Sequence, residues 1–320
     1  MSVSVLGLGA TGSQVAHQVG VSSGDLSVFD IDASRVVGVV ARTPGARAGQ
    51  PDDRSDVVVL ALPGGEHVIP ALACLRRGSH VVSISDHPDD VEGLLALDDE
   101  ARECGRSVLV GAGFAPGLTC LLARHAGDAL DLVEEISIAK AGTGGPTCAR
   151  QHHRALKRAG QEWLGGSWRL RRGGSGRELT WFPDPWGASD CYRAWLADPS
   201  LLHRVYPDVG RITARIAATR RDRLTSRLPM LRRPHEDGVT GAVRVEVRGR
   251  RNRGVETLVY GVAARPSLAA GCVAAEAVRF VLSGASEPGA RGLGEIGNPL
   301  VFLRALHGSG IRAVTYESSH

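Results

Sequence analysis

Gly7-Leu8-Gly9-Ala10-Thr11-Gly12, near the start of the chain, has the residue types and spacing to hold a phosphate group. It follows an apolar run with Val3, Val5 and Leu6 and precedes Val15, Ala16 and Val19 at helical spacing, so the stretch reads as strand, tight turn and helix. In such a turn Gly7 lets the chain reverse, Gly9 lets the backbone touch a pyrophosphate, and Gly12 lets helix and strand pack closely. The first N–H groups of the helix, those of Ala10 and Thr11 among them, then face the phosphates together with the positive end of the helix dipole. A chain with 41 glycines meets this spacing by chance, and context is what raises its weight. The next strand, Leu26–Phe29, ends at Asp30, eighteen residues beyond Gly12. A carboxylate there accepts hydrogen bonds from the adenosine ribose hydroxyls and repels a 2′-phosphate. The cofactor implied is NAD or NADP, with NAD favoured by Asp30. Asp32 is an alternative carboxylate, and Arg35 or Arg42 would suit a 2′-phosphate.

Proton-transfer chemistry has its candidates further on. The stretch Thr147–Ala159 reads as a helix carrying Gln151, His152, His153, Arg154, Lys157 and Arg158. Imidazole titrates near neutral pH, which makes His152 and His153 candidate acid–base groups. Adjacent helical residues point about 100° apart, so at most one of the two faces a given pocket. Lys140, at a strand end beside a glycine-rich turn, is a third candidate catalytic group or a holder of a substrate carboxylate; Arg150 and Arg154 are candidates for that second task. The plainer reading is a polar helix face with solvent-exposed histidines.

These groups need elements to position them. Asp56–Pro63 reads as a buried parallel strand closed by a Pro-Gly-Gly turn, and Leu62 and Pro63 at its carboxyl end should border a bound dinucleotide. Ser85, at the end of the next strand, is a further candidate contact. Val68–Arg77 and Val91–Cys104 read as helices stopped by Gly78 and Gly105, with strands at His80–Ile84 and Ser107–Val110. Alternation of strand and helix over the first hundred or so residues implies an α/β fold with a doubly wound parallel sheet. Arg35–Val40 is a further apolar stretch, and Pro44–Arg54 reads as a polar loop.

Gly111-Ala112-Gly113-Phe114-Ala115-Pro116-Gly117-Leu118-Thr119 then forms a stiff loop running into a helix, Leu118–Ala126. Taken with the glycine turn, the Asp56–Pro63 strand and the Ala101–Gly105 segment, GAGFAPGLTCLLA resembles the corresponding loop of the saccharopine dehydrogenase-like family. The likeness covers Val3 to about Ala126. It implies a Rossmann nucleotide-binding domain followed by an α/β substrate domain, and an NAD(P)-dependent oxidoreductase interconverting an amine and an imine. By position it would set Gly113, Phe114, Pro116 and Gly117 beside the nicotinamide and substrate. The family often has a carboxylate in the strand matching His80–Ser85; here Ser83 stands there.

The expected boundary falls at residues 125 and 126, with a dinucleotide-binding domain before it and a substrate-binding and dimerisation domain after it. In the second domain Val133–Ala139 reads as a strand, Trp168–Arg171 and Glu178–Phe182 as a hairpin around Arg172–Gly176, and Ser189–Leu196 as the start of a helix. Leu201–Arg227 reads as a helical region, Met230–Gly238 as a loop, and Val239–Arg248 with Val255–Ala263 as paired strands. The expected sheet is mixed and largely antiparallel, and such long strands suit a homodimer. The tryptophans from Trp163 to Trp195 suit a core, a subunit interface or a pocket wall. Ser267–Leu282 is an apolar helix expected to pack back onto the first domain, the two domains moving as a hinged pair. Pro299–His307 and Ala313–Glu317 read as helix and strand.

Composition bounds the function. A net charge of +4 carried almost wholly by arginine, with no interleaved aromatics, argues against nucleic acid. No run of eighteen apolar residues and no signal-like start occur, so a cytoplasmic protein without a membrane partner is expected. The six cysteines stand singly, without metal-ligand spacing, and no metal is expected. Two rival readings remain. A glucose-fructose-type dehydrogenase of a sugar alcohol would have a site lysine in an E-K-P motif, yet no lysine precedes Lys140. A non-catalytic dinucleotide-binding sensor or scaffold would bind the cofactor without turnover.

Overall fold

The computed structural model describes residues 1–21, 25–230, 233–236 and 238–316. In chain order the first elements are β1 (Val3–Leu6), α1 (Ala10–Gly20), β2 (Leu26–Phe29), α2 (Ala33–Arg42), β3 (Ala46–Ala48), β4 (Val57–Leu60), α3 (Val68–Arg76), β5 (His80–Ser83), α4 (Pro88–Leu95), α5 (Asp98–Glu103) and β6 (Ser107–Val110). Next come α6 (Leu118–Gly127), β7 (Leu132–Ala141), α7 (Pro146–Ala155), β8 (Gly160–Leu164), β9 (Ser167–Arg171), β10 (Glu178–Trp181), β11 (Ala188–Arg193), α8 (Asp198–Val205), β12 (Arg211–Ala217), α9 (Arg220–Thr225), β13 (Gly241–Arg251) and β14 (Gly254–Ala264). The chain closes with α10 (Pro266–Leu282), β15 (Gly289–Gly292), α11 (Pro299–Gly308) and β16 (Val314–Thr315). Glu317, expected in the last strand, and residues 231, 232 and 237 of the Met230–Gly238 loop lie outside the described residues.

Two compact units result, Met1–Gly117 with Ser267–Leu293, and Leu118–Pro266 with the residues from Gly294 onward. Among the described residues the first holds a seven-stranded sheet in the order β15-β6-β5-β4-β1-β2-β3, parallel throughout. Strands β1, β4 and β6 are buried along their length, as strands covered on both faces must be. The α10 helix packs on α1, and a Cβ on Gly271 would come within 3.0 Å of the Gln14 side chain. The Val91–Cys104 stretch, expected as one helix, is two. Their break falls where the Asp98 carboxylate turns to accept the Ala290 amide of β15 at 2.7 Å. Arg35–Val40 lies within helix α2, capped by Asp32 accepting from the Ser34 amide, and the Pro44–Arg54 loop contains edge strand β3.

The second unit is built on a mixed, mostly antiparallel sheet in the order β10-β11-β12-β7-β13-β14-β16, with β8 paired to β12 and β9. Its one parallel pairing among the described strands is β7 with β12. Register puts Ile136, Ile138 and Lys140 of β7 on one face with Ile212, Ala214 and Ile216 of β12 and Val243, Val245 and Val247 of β13. Helix α6 lies against β13 and α8 against β12. On the other face Ala139, Ala141 and Ala242 form a core with Phe182 and Cys191.

Three expectations for this unit are corrected. Arg211–Ala217, taken into a long helical region, is a central strand, because Ile212, Ala214 and Ile216 recur with period two between arginines and Thr213. The Ser189–Leu196 stretch begins within strand β11, whose Cys191 and Tyr192 are both buried and so hide the alternation. Strands β9 and β10 do not pair; β9 returns on β8 through Gly165–Gly166, both at positive φ, and β10 pairs with β11. The tryptophans are not fully buried, and Trp168 and Trp181 are 39% and 61% exposed. No helix among the described residues is long and apolar enough to cross a membrane.

Candidate functional site

The loops leaving the carboxyl ends of β1, β2, β4, β5 and β6 carry one group of the expected site residues. In open parallel sheets ligands bind beyond these strand ends. Gly7 and Gly12 are fixed by the protein itself. A Cβ on Gly7 would stand 2.4 Å from the Ala61 carbonyl oxygen, and one on Gly12 1.9 Å from that of Gly7. Gly9 differs, since a Cβ there would meet nothing within 4 Å. Its backbone, at φ −64° and ψ −171°, is open to any residue. Packing therefore gives no reason for glycine at this position, while a ligand lying on the backbone does. Helix α1 starts at Ala10 without a side-chain cap or an acidic residue in its first turn, so its N–H groups and dipole face this space. The geometry fits a pyrophosphate.

Asp30 closes the turn from the other side. Its Oδ2 accepts the Leu8 amide at 2.6 Å and its Oδ1 the Asp32 amide at 2.9 Å. Each oxygen keeps a lone pair with which to accept from a ribose hydroxyl. The half-exposed Arg35 reaches Asp30 at 3.6 Å and Asp32 at 3.4 Å. Hydrogen bonding to Ser34 holds the Asp32 carboxyl below the usual carboxylate range, assisted by Arg35.

Beyond β4 and β5 lies a buried polar network that the sequence reading missed. His67 is fully buried, its Nε2 3.0 Å from the Leu62 carbonyl and its Nδ1 2.9 Å from the Ser83 hydroxyl. Burial pushes this imidazole below its ordinary pKa, outweighing the attraction of Asp90, Asp86 and Glu66. Asp90 accepts from the Gly65 amide, the His67 amide and the Ser85 hydroxyl. Ser85, expected to touch cofactor, is buried with its hydroxyl committed to Asp90 at 2.6 Å. Leu62 and Pro63 sit in the loop as expected, Pro63 exposed. The available signal was Ser83 ending an apolar strand and His67 two residues beyond a Pro-Gly-Gly turn.

Residues 111–117 are buried throughout. Gly117 has φ +120°, and a Cβ would stand 2.3 Å from the Gly113 oxygen and 2.5 Å from its nitrogen. The Gly113 amide donates to the Pro116 carbonyl, and the Ala112 amide to that of Ser83, which ties the loop to β5. Gly113, Phe114, Pro116 and Gly117 thus form one rigid turn, with Phe114 8% exposed.

The other expected residues belong to the second unit. Lys140 is buried on β7 in register with Ile216 and Val243. His152 and His153 are both buried on α7 and diverge as helical geometry demands. His152 Nε2 lies 3.6 Å from Cys148 Sγ, and His153 Nε2 lies 3.3 Å from the Thr225 hydroxyl of α9. Arg150 and Arg154 occupy the exposed face of α7, Arg150 donating to the Thr147 hydroxyl at 3.3 Å. An acid–base role is open to either histidine chemically, and a solvent-side anion contact to either arginine.

No protein-family model matches this sequence, and no curated protein matches it. The fold, by contrast, is one shared with dehydrogenases, a parallel dinucleotide-type sheet followed by a mixed one. Saccharopine dehydrogenase (L-Glu forming) from Saccharomyces cerevisiae is similar over 99% of this chain and 100% of its own, with a TM-score of 0.75 at 15% identity. The amine dehydrogenase of Mycobacterium smegmatis matches 93% of this chain and 96% of its own, with a TM-score of 0.57 at 11% identity. A probable dehydrogenase from Thermotoga maritima matches 98% of each chain, with a TM-score of 0.53 at 13% identity. At these identities the likeness is one of fold.

Proposed function

We propose that this chain is an NAD(P)-dependent oxidoreductase that interconverts an amine and an imine of an amino-acid-like substrate. The observation that carries the dinucleotide reading is Gly9, a glycine that the protein's own packing leaves unexplained beside an uncapped helix N-terminus. The amine–imine reading is supported by the resemblance of residues 111–123 to the saccharopine dehydrogenase-like loop and by the fold shared with a saccharopine dehydrogenase and an amine dehydrogenase.

The nicotinamide, when bound, supplies the acceptor or donor of a hydride. The chain's part is to bind and orient. Gly9, Ala10 and Thr11 hold the pyrophosphate with backbone N–H groups, and Asp30 accepts from the ribose. Gly113, Phe114, Pro116 and Gly117 form a rigid boundary for the reacting ring and substrate. In amine oxidation a hydride leaves carbon and a proton leaves nitrogen, and His152 or His153 takes that proton. Lys140 holds a substrate carboxylate, with Arg150 and Arg154 as further contacts. The active form is a homodimer formed through the long strands β13 and β14.

Two measurements test this. Fluorescence titration with NADH and NADPH should give saturable binding that Gly9→Ala abolishes, with NADH the tighter ligand; no binding of either defeats the reading. Absorbance at 340 nm with a panel of amino acids, and of keto acids with amines, should then reveal turnover. Turnover with sugar alcohols only would favour the glucose-fructose-type alternative, and binding without any turnover a sensor.

A further inference from the structure

The loops after β4 and β5 are joined by a chain of buried hydrogen bonds with a defined direction. The Leu62 carbonyl can only accept, so His67 Nε2 carries the proton. Nδ1 is then the acceptor for the Ser83 hydroxyl, and the Ser83 oxygen accepts in turn from the Ser85 amide at 3.3 Å. The Ser85 hydroxyl donates to Asp90, which also takes the amides of Gly65 and His67, and the Ser85 oxygen accepts the His87 amide at 3.2 Å. Each donor of this set meets an acceptor, and both loops are committed to it. We propose that His67, Ser83 and Asp90 are positioning residues, a buried brace locking the loop after β4 to the loop after β5 and thereby setting affinity for the nicotinamide half of the dinucleotide.

The assignment to one half follows from sheet order and rests on the dinucleotide reading above. Asp30 marks the adenosine side at the end of β2, whereas β4 and β5 lie on the opposite side of β1. A dinucleotide whose pyrophosphate sits at the β1 turn extends its second nucleoside over the β4 and β5 loops. The brace works with a neutral imidazole. A proton on Nδ1 would point at a hydroxyl that already accepts from Ser85, and the hydroxyl's own proton would lose its acceptor. The charged groups facing the ring are Asp90 on α4, Asp86 after β5 and Glu66 before α3; all three favour the proton, and burial opposes it.

Ser83→Ala deletes the hydroxyl linking the two loops, and Asp90→Asn removes an oxygen that accepts twice. Titration of each variant with NADH and with ADP, which lacks the whole second nucleoside, reads the effect. In both variants NADH should weaken by about tenfold while ADP stays within about twofold, so that ADP also reports an intact fold. For the wild type, NADH binding should weaken as the pH is lowered while ADP binding holds, and His67→Gln should remove that difference. Equal loss of both ligands, or no loss of NADH, overturns the brace and leaves the dinucleotide reading intact. A wild type that binds neither ligand overturns that reading and the brace with it.

Discussion

The first unit contains two glycine-rich loops that look alike in sequence and differ in physical cause. In residues 111–117 Gly117 is accounted for by the loop itself, since a side chain would collide with the backbone of Gly111 and Gly113. In residues 7–12 the outer glycines are fixed in the same way, by Ala61 and by Gly7, and the middle one is not. A glycine in a motif is thus a structural requirement where its missing Cβ is occupied by protein. Where that space is empty and the backbone is open to any residue, as at Gly9, the protein's own packing does not account for it.

The largest expected effect breaks the structural side of the contrast. Gly117→Ala places a methyl within 2.6 Å of three backbone atoms at a φ of +120°. Urea unfolding should show about 3 kcal/mol or more of lost stability, the range reached by strained and overpacked sites. A variant as stable as the wild type would mean that the loop is slack. Gly9→Ala is the counterpart. Its backbone suits alanine, whose restriction of the unfolded chain is offset by its poorer fit to the N-cap of α1, so stability should change by less than about 1 kcal/mol while NADH binding is lost. A variant that keeps its NADH affinity would show that the open space is not where the ligand lies.

The same contrast explains what could be read from the chain alone. The first unit was legible because its buried parallel strands are continuous apolar runs, as at Val57–Leu60, and its turns are punctuated by glycines. Strand β12 was not, because Arg215 is buried at its centre, donating to Thr213 and to the Gly176 carbonyl and pairing with Glu178. A strand that alternates apolar residues with arginines imitates a solvent-exposed helix. At the site, Asp30 and the glycine turn follow from spacing over a short stretch. The His67, Ser83 and Asp90 brace joins residues from three elements, and tertiary pairing of that kind leaves no local period. His152 and His153 point to different partners, Cys148 four residues back and Thr225 on α9, and the second of these is set by tertiary structure that no local period announces.

Asp30 shares the logic of Gly9 only in part, because protein groups already use it. Asp30→Asn swaps one acceptor oxygen for a donor, so either the Leu8 or the Asp32 amide loses its partner. NADH affinity should fall by about tenfold and stability by about 1 kcal/mol, and both are read from the same titration and melting samples. A fall in stability alone would reduce Asp30 to a strut for the turn. Arg35→Ala separates the cofactors with a smaller effect. If Asp30 selects NAD, removing this half-exposed cation should change NADH affinity by less than about threefold. A loss of NADPH affinity well beyond that of NADH would show that Arg35 holds a 2′-phosphate.

The smallest effect comes from pH and bears on the strand end against which Gly7 rests. Ala61 touches Gly7 and Leu62 is held by His67, so the imidazole supports the glycine turn from behind. Its folded-state pKa is lowered, mainly by burial, from the ordinary value of about 6.5. As the pH drops below that value the unfolded chain takes a proton that the folded chain refuses, so stability falls until the folded pKa is reached. Above about pH 6.5 both states are neutral and this contribution is complete. His80, lowered by half-burial and by Arg106, and His203, lowered by burial beside Trp163, slope in the same direction. His67→Gln should therefore flatten the dependence of the melting temperature between about pH 7 and 5 without abolishing it. An unchanged slope would mean that His67 is protonated alike in both states.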